Sequence, residues 1–330
     1  MGSVGGQALI EGVMMNGPGG CAISVRKTDG TIVTEKQEWK RVKDKVKFLG
    51  WPLIRGVVNY IETMIIGYKS LMKSAELSGQ LDAEEETENM SKLDRWLNDH
   101  MGPKLMGVLS AIASVIAVGI GVFLFMWLPT FVVSLADEKL FGGSLKPLHA
   151  LFEGLIRAII IVLYMFIVSR LPDIHRVFMY HGAEHKSIAC LESGMELTVE
   201  NVKKCKRFHP RCGTSFIFVI IIVSMIVSSL VLLGFPVLAE KNMRLIWIAV
   251  KLFGVLPIVT SISYEFIKYA GRHDNIITKI FSAPGLWMQR ITTAEPTDDM
   301  MEVGIASIKA VLPDRKDEEK PYVPDGGTAF

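Results

Sequence analysis

Charge of one sign is what this sequence has least of: 36 Lys and Arg face 34 Asp and Glu, a formal net charge of +2. Such a balance offers no basic footprint for nucleic acid, and no nucleic-acid partner is expected. Cysteine is scarce too, with Cys21, Cys190, Cys205 and Cys212 only and no C-x-x-C pair. In a reducing compartment those four point to free thiols or metal ligation rather than to disulfides. The first residues, Met-Gly-Ser-Val-Gly-Gly-Gln, lack a basic stretch followed by an apolar one, so a cleaved signal peptide is not expected. No internal repeat of useful period is present.

Long apolar runs, by contrast, are abundant. Residues 105–135, 214–234 and 245–263 are almost uncharged and reach the ~20 residues a helix needs to cross a bilayer core. A further run at 158–169 becomes long enough as 148–169, which brings in Glu153 and Arg157, four apart and able to pair near the helix end. Four membrane-spanning helices follow, with the lipid bilayer as the first partner. Lys and Arg number fourteen in residues 1–104, eight in 170–213 and eight after Tyr264, against two each in 136–147 and 235–244. By the positive-inside rule both termini and the 170–213 loop are cytoplasmic. Lys251 lies inside the last run; it is close enough to Arg244 and the outer interface to snorkel, and a transport role is the costlier reading.

Outside the spans the pattern changes. Residues 1–48 read as a β-rich element: an apolar run at 7–13, a turn cluster at 16–20, and a hairpin around Thr28-Asp29-Gly30. The N-terminal glycines also suit close approach to another backbone. Residues 49–76 follow a helical period flanked by Lys and Arg and suit an amphipathic helix lying in the membrane interface. Residues 77–104, centred on Asp82-Ala-Glu-Glu-Glu-Thr-Glu88, read as an acidic linker. Residues 264–312 are expected to be a cytoplasmic region whose 298–312 stretch is an amphipathic helix. Residues 313–330 are charged, Pro/Gly-rich and expected to be disordered. The fold class is mainly α, a four-helix membrane protein with a small β element and interfacial helices.

The chemistry-bearing motif is Tyr180-His-Gly-Ala-Glu-His-Lys186. On a helix, His181, Glu184 and His185 share one face, with the imidazoles about 6 Å apart at Cβ. Two histidines one turn apart can share a divalent metal, zinc by its ligand preferences, and a carboxylate beside them can serve as general base. The bland alternative is a helix whose histidines hydrogen-bond at headgroup level. His209-Pro-Arg-Cys-Gly213 adds an imidazole and a thiol at the mouth of the third span, where His209 and Cys212 suit a third or fourth ligand. Arg211 and His209 also read as positive-inside charges, and Cys212 as a small buried residue. Glu265, deepest of the polar groups at the span ends, is a further carboxylate ligand; Asp173, His175, His273 and Asp274 sit at similar ends and suit capping.

Four blocks carry a resemblance. Ser3-Val-Gly-Gly-Gln-Ala-Leu-Ile-Glu-Gly-Val-Met-Met15, Tyr180-His-Gly-Ala-Glu-His-Lys186, His209-Pro-Arg-Cys-Gly-Thr-Ser215 and Pro284-Gly-Leu-Trp-Met-Gln-Arg-Ile-Thr-Thr-Ala-Glu-Pro296 together resemble the YqhQ-like family of bacterial multi-pass membrane proteins. That family is of unknown function and carries the label of a predicted metal-dependent enzyme, and the resemblance implies a bacterial plasma membrane as the location. The resemblance therefore implies a metal-dependent activity without naming a substrate, and Cys190 and Cys205 fall outside its blocks. Two readings stand. One is a metal-dependent hydrolase at the cytoplasmic face, with Glu184 as base and His181, His185, His209, Cys212 and Glu265 as the ligand candidates. The other is a non-catalytic scaffold or membrane-protein biogenesis factor, with a membrane-protein partner or a second copy of the chain. A transporter is the remoter third.

Overall fold

The N-terminal strands carry apolar side chains on both faces, and both faces are covered. The computed structural model describes residues 4–37, 51, 54–79, 103–144, 148–209, 212–270, 273 and 275–312, with backbone path only at 103–111 and 241. In it β1 (Gly5–Leu9), β2 (Gly12–Gly17), β3 (Gly20–Arg26) and β4 (Ile32–Gln37) form one antiparallel sheet in that order. Neighbouring side chains point to opposite faces, so Val13, Met15 and Ala22 join one buried cluster while Met14, Cys21, Ile23 and Val25 join another.

The hairpin around Thr28-Asp29-Gly30 is present, joining β3 to β4 with Val25 opposite Val33. The apolar run at 7–13 is instead two strands, because the chain reverses at Ile10 and Glu11. Glu11 turns with φ +51, a conformation costly for a residue with a Cβ. Its carboxylate is anchored by Arg176 at 2.5 Å and by the Tyr180 hydroxyl at 3.2 Å, which offsets that cost.

Helices follow in order: α1 (Ile54–Ser78); α2 (Pro103–Val122, continuing through a π turn at Phe123–Trp127 into Leu128–Leu140); α3 (His149–Val168); α4 (Pro172–Glu192). Then come α5 (Val199–Lys204), α6 (Gly213–Gly234), α7 (Arg244–Val250, a π turn at Lys251–Val255, then Leu256–Ala270), α8 (Ile276–Thr292) and α9 (Asp298–Val311). Among the described residues four helical stretches are long and apolar enough to cross a bilayer: Ile112–Leu140, His149–Val168, Gly213–Gly234 and Arg244–Ala270. The acidic stretch at 80–102, the tail at 313–330, Arg211 and Asp274 lie outside the described residues.

Contacts divide the chain into two compact units. The first comprises residues 1–80, 162–223 and 256–330. Its sheet is sandwiched: Ile66, Leu71 and Leu77 of α1 cover one face, and α9 covers the other with Met300, Met301, Val303, Ile308 and Val311. The amphipathic helix expected near the C-terminus is therefore a core helix, its apolar stripe spent on β2, β3 and α4. Gly304 permits this approach, since a Cβ there would stand 2.7 Å from the Ser187 hydroxyl of α4. On α1 the side away from the sheet leaves Ile61, Met64, Ile65, Tyr68 and Met72 exposed. Helix α8, absent from the expectations above, runs through Pro284 and opens on a capping box between Asn275 and Thr278.

The second unit comprises residues 81–161 and 224–255. Its interior holds charge. Lys251 Nζ reaches Glu153 Oε2 at 2.9 Å and Thr130 Oγ1 at 2.6 Å, over the Trp247 ring. With its side chain 5% exposed, Lys251 is paired rather than snorkelling, because α2 and α3 place an acceptor and a carboxylate beside it. Arg157 is not Glu153's ion-pair partner. It donates to the Phe125 carbonyl at 2.8 Å and to Ser224 Oγ at 2.9 Å. Phe125 belongs to the π turn of α2, where the wider winding displaces carbonyls from the usual ladder.

Candidate metal centre

Helix α4 begins as its sequence directs, with Pro172 in the first turn and Asp173 beside the helix N-terminus. Its middle is buried nearly all round, from Tyr180 to Ile188. Ala183 faces the α9 cluster. The segment after α8 runs along the neighbouring side, where Ala294 N donates to Phe178 O at 2.8 Å. Gly182 makes this possible: a Cβ at that position would lie 2.0 Å from Ala294 O.

His181 and His185 stack edge to face with ring centroids 4.4 Å apart. Each Nδ1 meets a backbone carbonyl, Thr292 O at 2.8 Å for His181 and Arg207 O at 2.5 Å for His185. A carbonyl can only accept, so both Nδ1 atoms carry the proton and both Nε2 lone pairs are left for another partner. Cys212, just ahead of α6, brings its Sγ to 3.3 Å from His181 Nε2. The Thr214 hydroxyl donates to the same sulfur at 3.3 Å. Ligand atoms of His181, His185 and Cys212 all lie within 4.8 Å of one another. Two ligands on one tetrahedral zinc stand roughly 3.5 Å apart, so the closest pair already fits. Carbonyl-oriented imidazoles beside a hydrogen-bonded thiol are the outer support such a site requires.

Glu184 lies beside this group without joining it. The Gly6 N–H of β1 donates to its carboxylate, while Oε2 is buried with no hydrogen-bond partner among the described residues. A Cβ on Gly6 would stand 3.2 Å from the Glu184 carboxyl carbon and 2.5 Å from Met14 O, so glycine is what lets the strand come this close. Burial pushes the Glu184 carboxyl above its usual range, against the opposing pull of His181, His209 and the Gly6 amide. Burial and the neighbouring His181 push the His185 imidazole below its usual value.

The other sequence candidates are placed differently. His209 is within a ring's reach of His185, centroids 5.9 Å apart, but its Nε2 meets Glu192 Oε2 at 3.2 Å. Its backbone is clamped by Gln289, which accepts from His209 N and donates to His209 O, both at 2.8 Å. Glu265 is bound on both oxygens by Arg55, at 2.5 and 2.6 Å, and stays outside the group. His273 is exposed and bonded to Tyr269 O in the last turn of α7, while Asp173 and His175 are exposed on α4. Gly6, Gln289 and the Thr292 carbonyl escape motif reading because they act through backbone or through a buried amide. Their one sequence signal is membership of the first and last of the four blocks.

Comparison with known proteins adds relationship without chemistry. Residues 51–314 match the model of a family described as a protein of unknown function, DUF1385. An uncharacterized protein of Bacillus subtilis (strain 168), YqhQ, is 35% identical over 311 residues, covering 93% of this chain and 92% of its own length. No solved structure matches significantly.

Proposed function

Because the chain belongs to the DUF1385 family, whose function is unknown, we propose a function from its own geometry: a metal-dependent hydrolase of the bacterial plasma membrane. Its four apolar helices span the bilayer with both termini and residues 170–213 in the cytoplasm, as the Lys/Arg distribution directs. The exposed apolar sides of α1 and of α8, where Ile276, Ile277, Ile280 and Trp287 point outward, suit the membrane interface.

The observation that carries the proposal is the pair of carbonyl-fixed imidazoles turned with Cys212 toward one point. Three protein ligands among the described residues would leave room for a water, as in catalytic rather than structural zinc sites. A divalent cation held by His181, His185 and Cys212 would supply Lewis acidity, make a water acidic near neutral pH and favour the ionised form of Glu184. The chain's own residues do the rest. Glu184, held on one oxygen by Gly6 and free on the other, takes the proton of the attacking water and returns it to the leaving group. The Thr292 and Arg207 carbonyls hold the tautomers throughout. Peptide, lipid and other ester-like substrates are all compatible with this chemistry.

Metal analysis tests it. Purified wild type is expected to hold zinc, His181→Ala to lose it and Glu184→Gln to keep it. A metal-free wild type ends the proposal. Loss in Glu184→Gln makes that carboxylate a fourth ligand, closes the site and favours the non-catalytic reading. The pH dependence has a definite sign. His185 binds as neutral imidazole, and its lowered pKa keeps that form dominant below the ordinary value of about 6.5. Zinc release to a chromophoric chelator should therefore show its midpoint below about 6.5. A midpoint above it would mean that another ligand, such as the Cys212 thiol, sets the release.

A further inference from the structure

We propose that Lys186, Lys206 and Arg207 form a phosphate-binding cradle for the headgroup of an anionic phospholipid. They line a cavity of about 470 Å³ together with Cys205, Phe208 and Glu295, a volume in the ordinary range for small-ligand sites. The proposal does not depend on a metal in the neighbouring centre.

Among the described residues three cations share this cavity with a single carboxylate, so these walls are net positive. Lys186 is the unusual member. Its side chain is 6% exposed, and its ammonium meets the Lys203 carbonyl at 3.2 Å and the Glu295 carboxylate. Glu295 also faces Arg207 at 3.6 Å, yet its own side chain is 62% exposed. A buried lysine is thus neutralised by a carboxylate that water can reach. An arriving phosphate can take over both cations while Glu295 swings out into solvent, so Lys186 never loses its counter-charge. Glu295 holds the place of the ligand's anion.

The setting selects the source of that phosphate. Phe208 is exposed and lies beneath the Arg207 guanidinium at 5.3 Å, giving the cavity an apolar lip. The 205–209 segment stands immediately ahead of Gly213–Gly234, a stretch apolar enough to span a bilayer. Lys204, exposed, extends the basic patch, while Lys203 pairs with Asp298 at 2.7 Å. A basic pocket at the end of a membrane helix with an apolar rim fits a headgroup whose acyl chains continue toward the bilayer. The Arg207 carbonyl also orients His185, so an occupied cradle steadies the loop that carries this contact.

Calorimetric titration of the full-length protein in detergent tests the assignment, with dihexanoyl phosphatidylglycerol, dihexanoyl phosphatidylcholine and inorganic phosphate as probes. Phosphatidylglycerol should bind tightest. Arg207→Gln and Lys206→Gln, both at partly or fully exposed positions that leave the fold intact, should each weaken it about fivefold, the worth of one cation near an anionic headgroup. Glu295→Gln should tighten it by a similar factor, whereas Glu200→Gln, an equal charge change elsewhere, should not. Equal affinity for phosphatidylcholine overturns the proposal, as does a Glu295→Gln variant indistinguishable from Glu200→Gln. Inorganic phosphate binding as tightly as phosphatidylglycerol overturns the lipid assignment in favour of a free-phosphate site.

Discussion

A single methyl group at position 182 is expected to dismantle the His181/His185/Cys212 cluster. In Gly182→Ala the new Cβ would stand 2.0 Å from Ala294 O, far inside van der Waals contact, and 3.3 Å from Pro296. The obstacle is backbone, so no side-chain rotation relieves it. Either α4 shifts or the segment after α8 lifts off. In the second case Thr292 O leaves His181 Nδ1, and the imidazole loses the contact that fixes its tautomer. Overpacking of this kind, with one buried hydrogen bond lost, costs about 2–4 kcal/mol. The unfolding temperature should fall, and with it any zinc that the proposed function places at this cluster. Gly119→Ala is the control, because a Cβ there meets nothing within 4 Å. A Gly182→Ala protein with wild-type stability and full zinc content would show that the 292–296 segment does not hold the site.

How far the sequence reveals this molecule depends on the distance over which each feature is encoded. His181, Glu184 and His185 are legible because the helical period alone places them on one face. The β3–β4 hairpin is legible because Asp29 and Gly30 write their turn locally, Asp29 accepting from Thr31 N at 2.8 Å. The Glu11 reversal is not, since a non-glycine residue at φ +51 is held by Arg176 and Tyr180 from a helix far along the chain. Choosing among ligand candidates likewise needs tertiary structure. Cys212 and His209 are equally plausible by spacing, but Glu192 and Gln289 hold His209 while Thr214 supports Cys212. Glu265 reads as available because nothing near it in sequence announces that Arg55 covers both its oxygens. The amphipathic C-terminal helix is correctly placed by its period, yet amphipathicity names an apolar face without naming its partner. That partner is the sheet.

Lys251→Met is expected to be the most destabilising substitution in the second unit, and its rescue identifies what the charge is for. Lys251 and Glu153 are 5% and 3% exposed at the side chain and 2.9 Å apart, with Thr130 as a third partner. Removing the ammonium leaves Glu153 Oε2 without its cation, while Oε1 already lacks a hydrogen-bond partner among the described residues. Breaking such a pair from one side costs about 3–5 kcal/mol, because a buried carboxylate is left uncompensated. Replacing both members by apolar residues of similar size removes the desolvation cost with the attraction, and is often neutral or stabilising. Thr130 tolerates the change, since its hydroxyl also donates to Met126 O at 2.9 Å within α2. The double variant Lys251→Met/Glu153→Leu should therefore unfold in detergent close to wild type, while Lys251→Met alone unfolds far earlier. Trp247, whose ring lies 5.2 Å from the ammonium, would pack against the methionine thioether in its place. If the double variant is stable, the two charges serve the fold of this unit only by compensating each other. A double variant as unstable as the single one would mean that the charges organise more of the unit than each other.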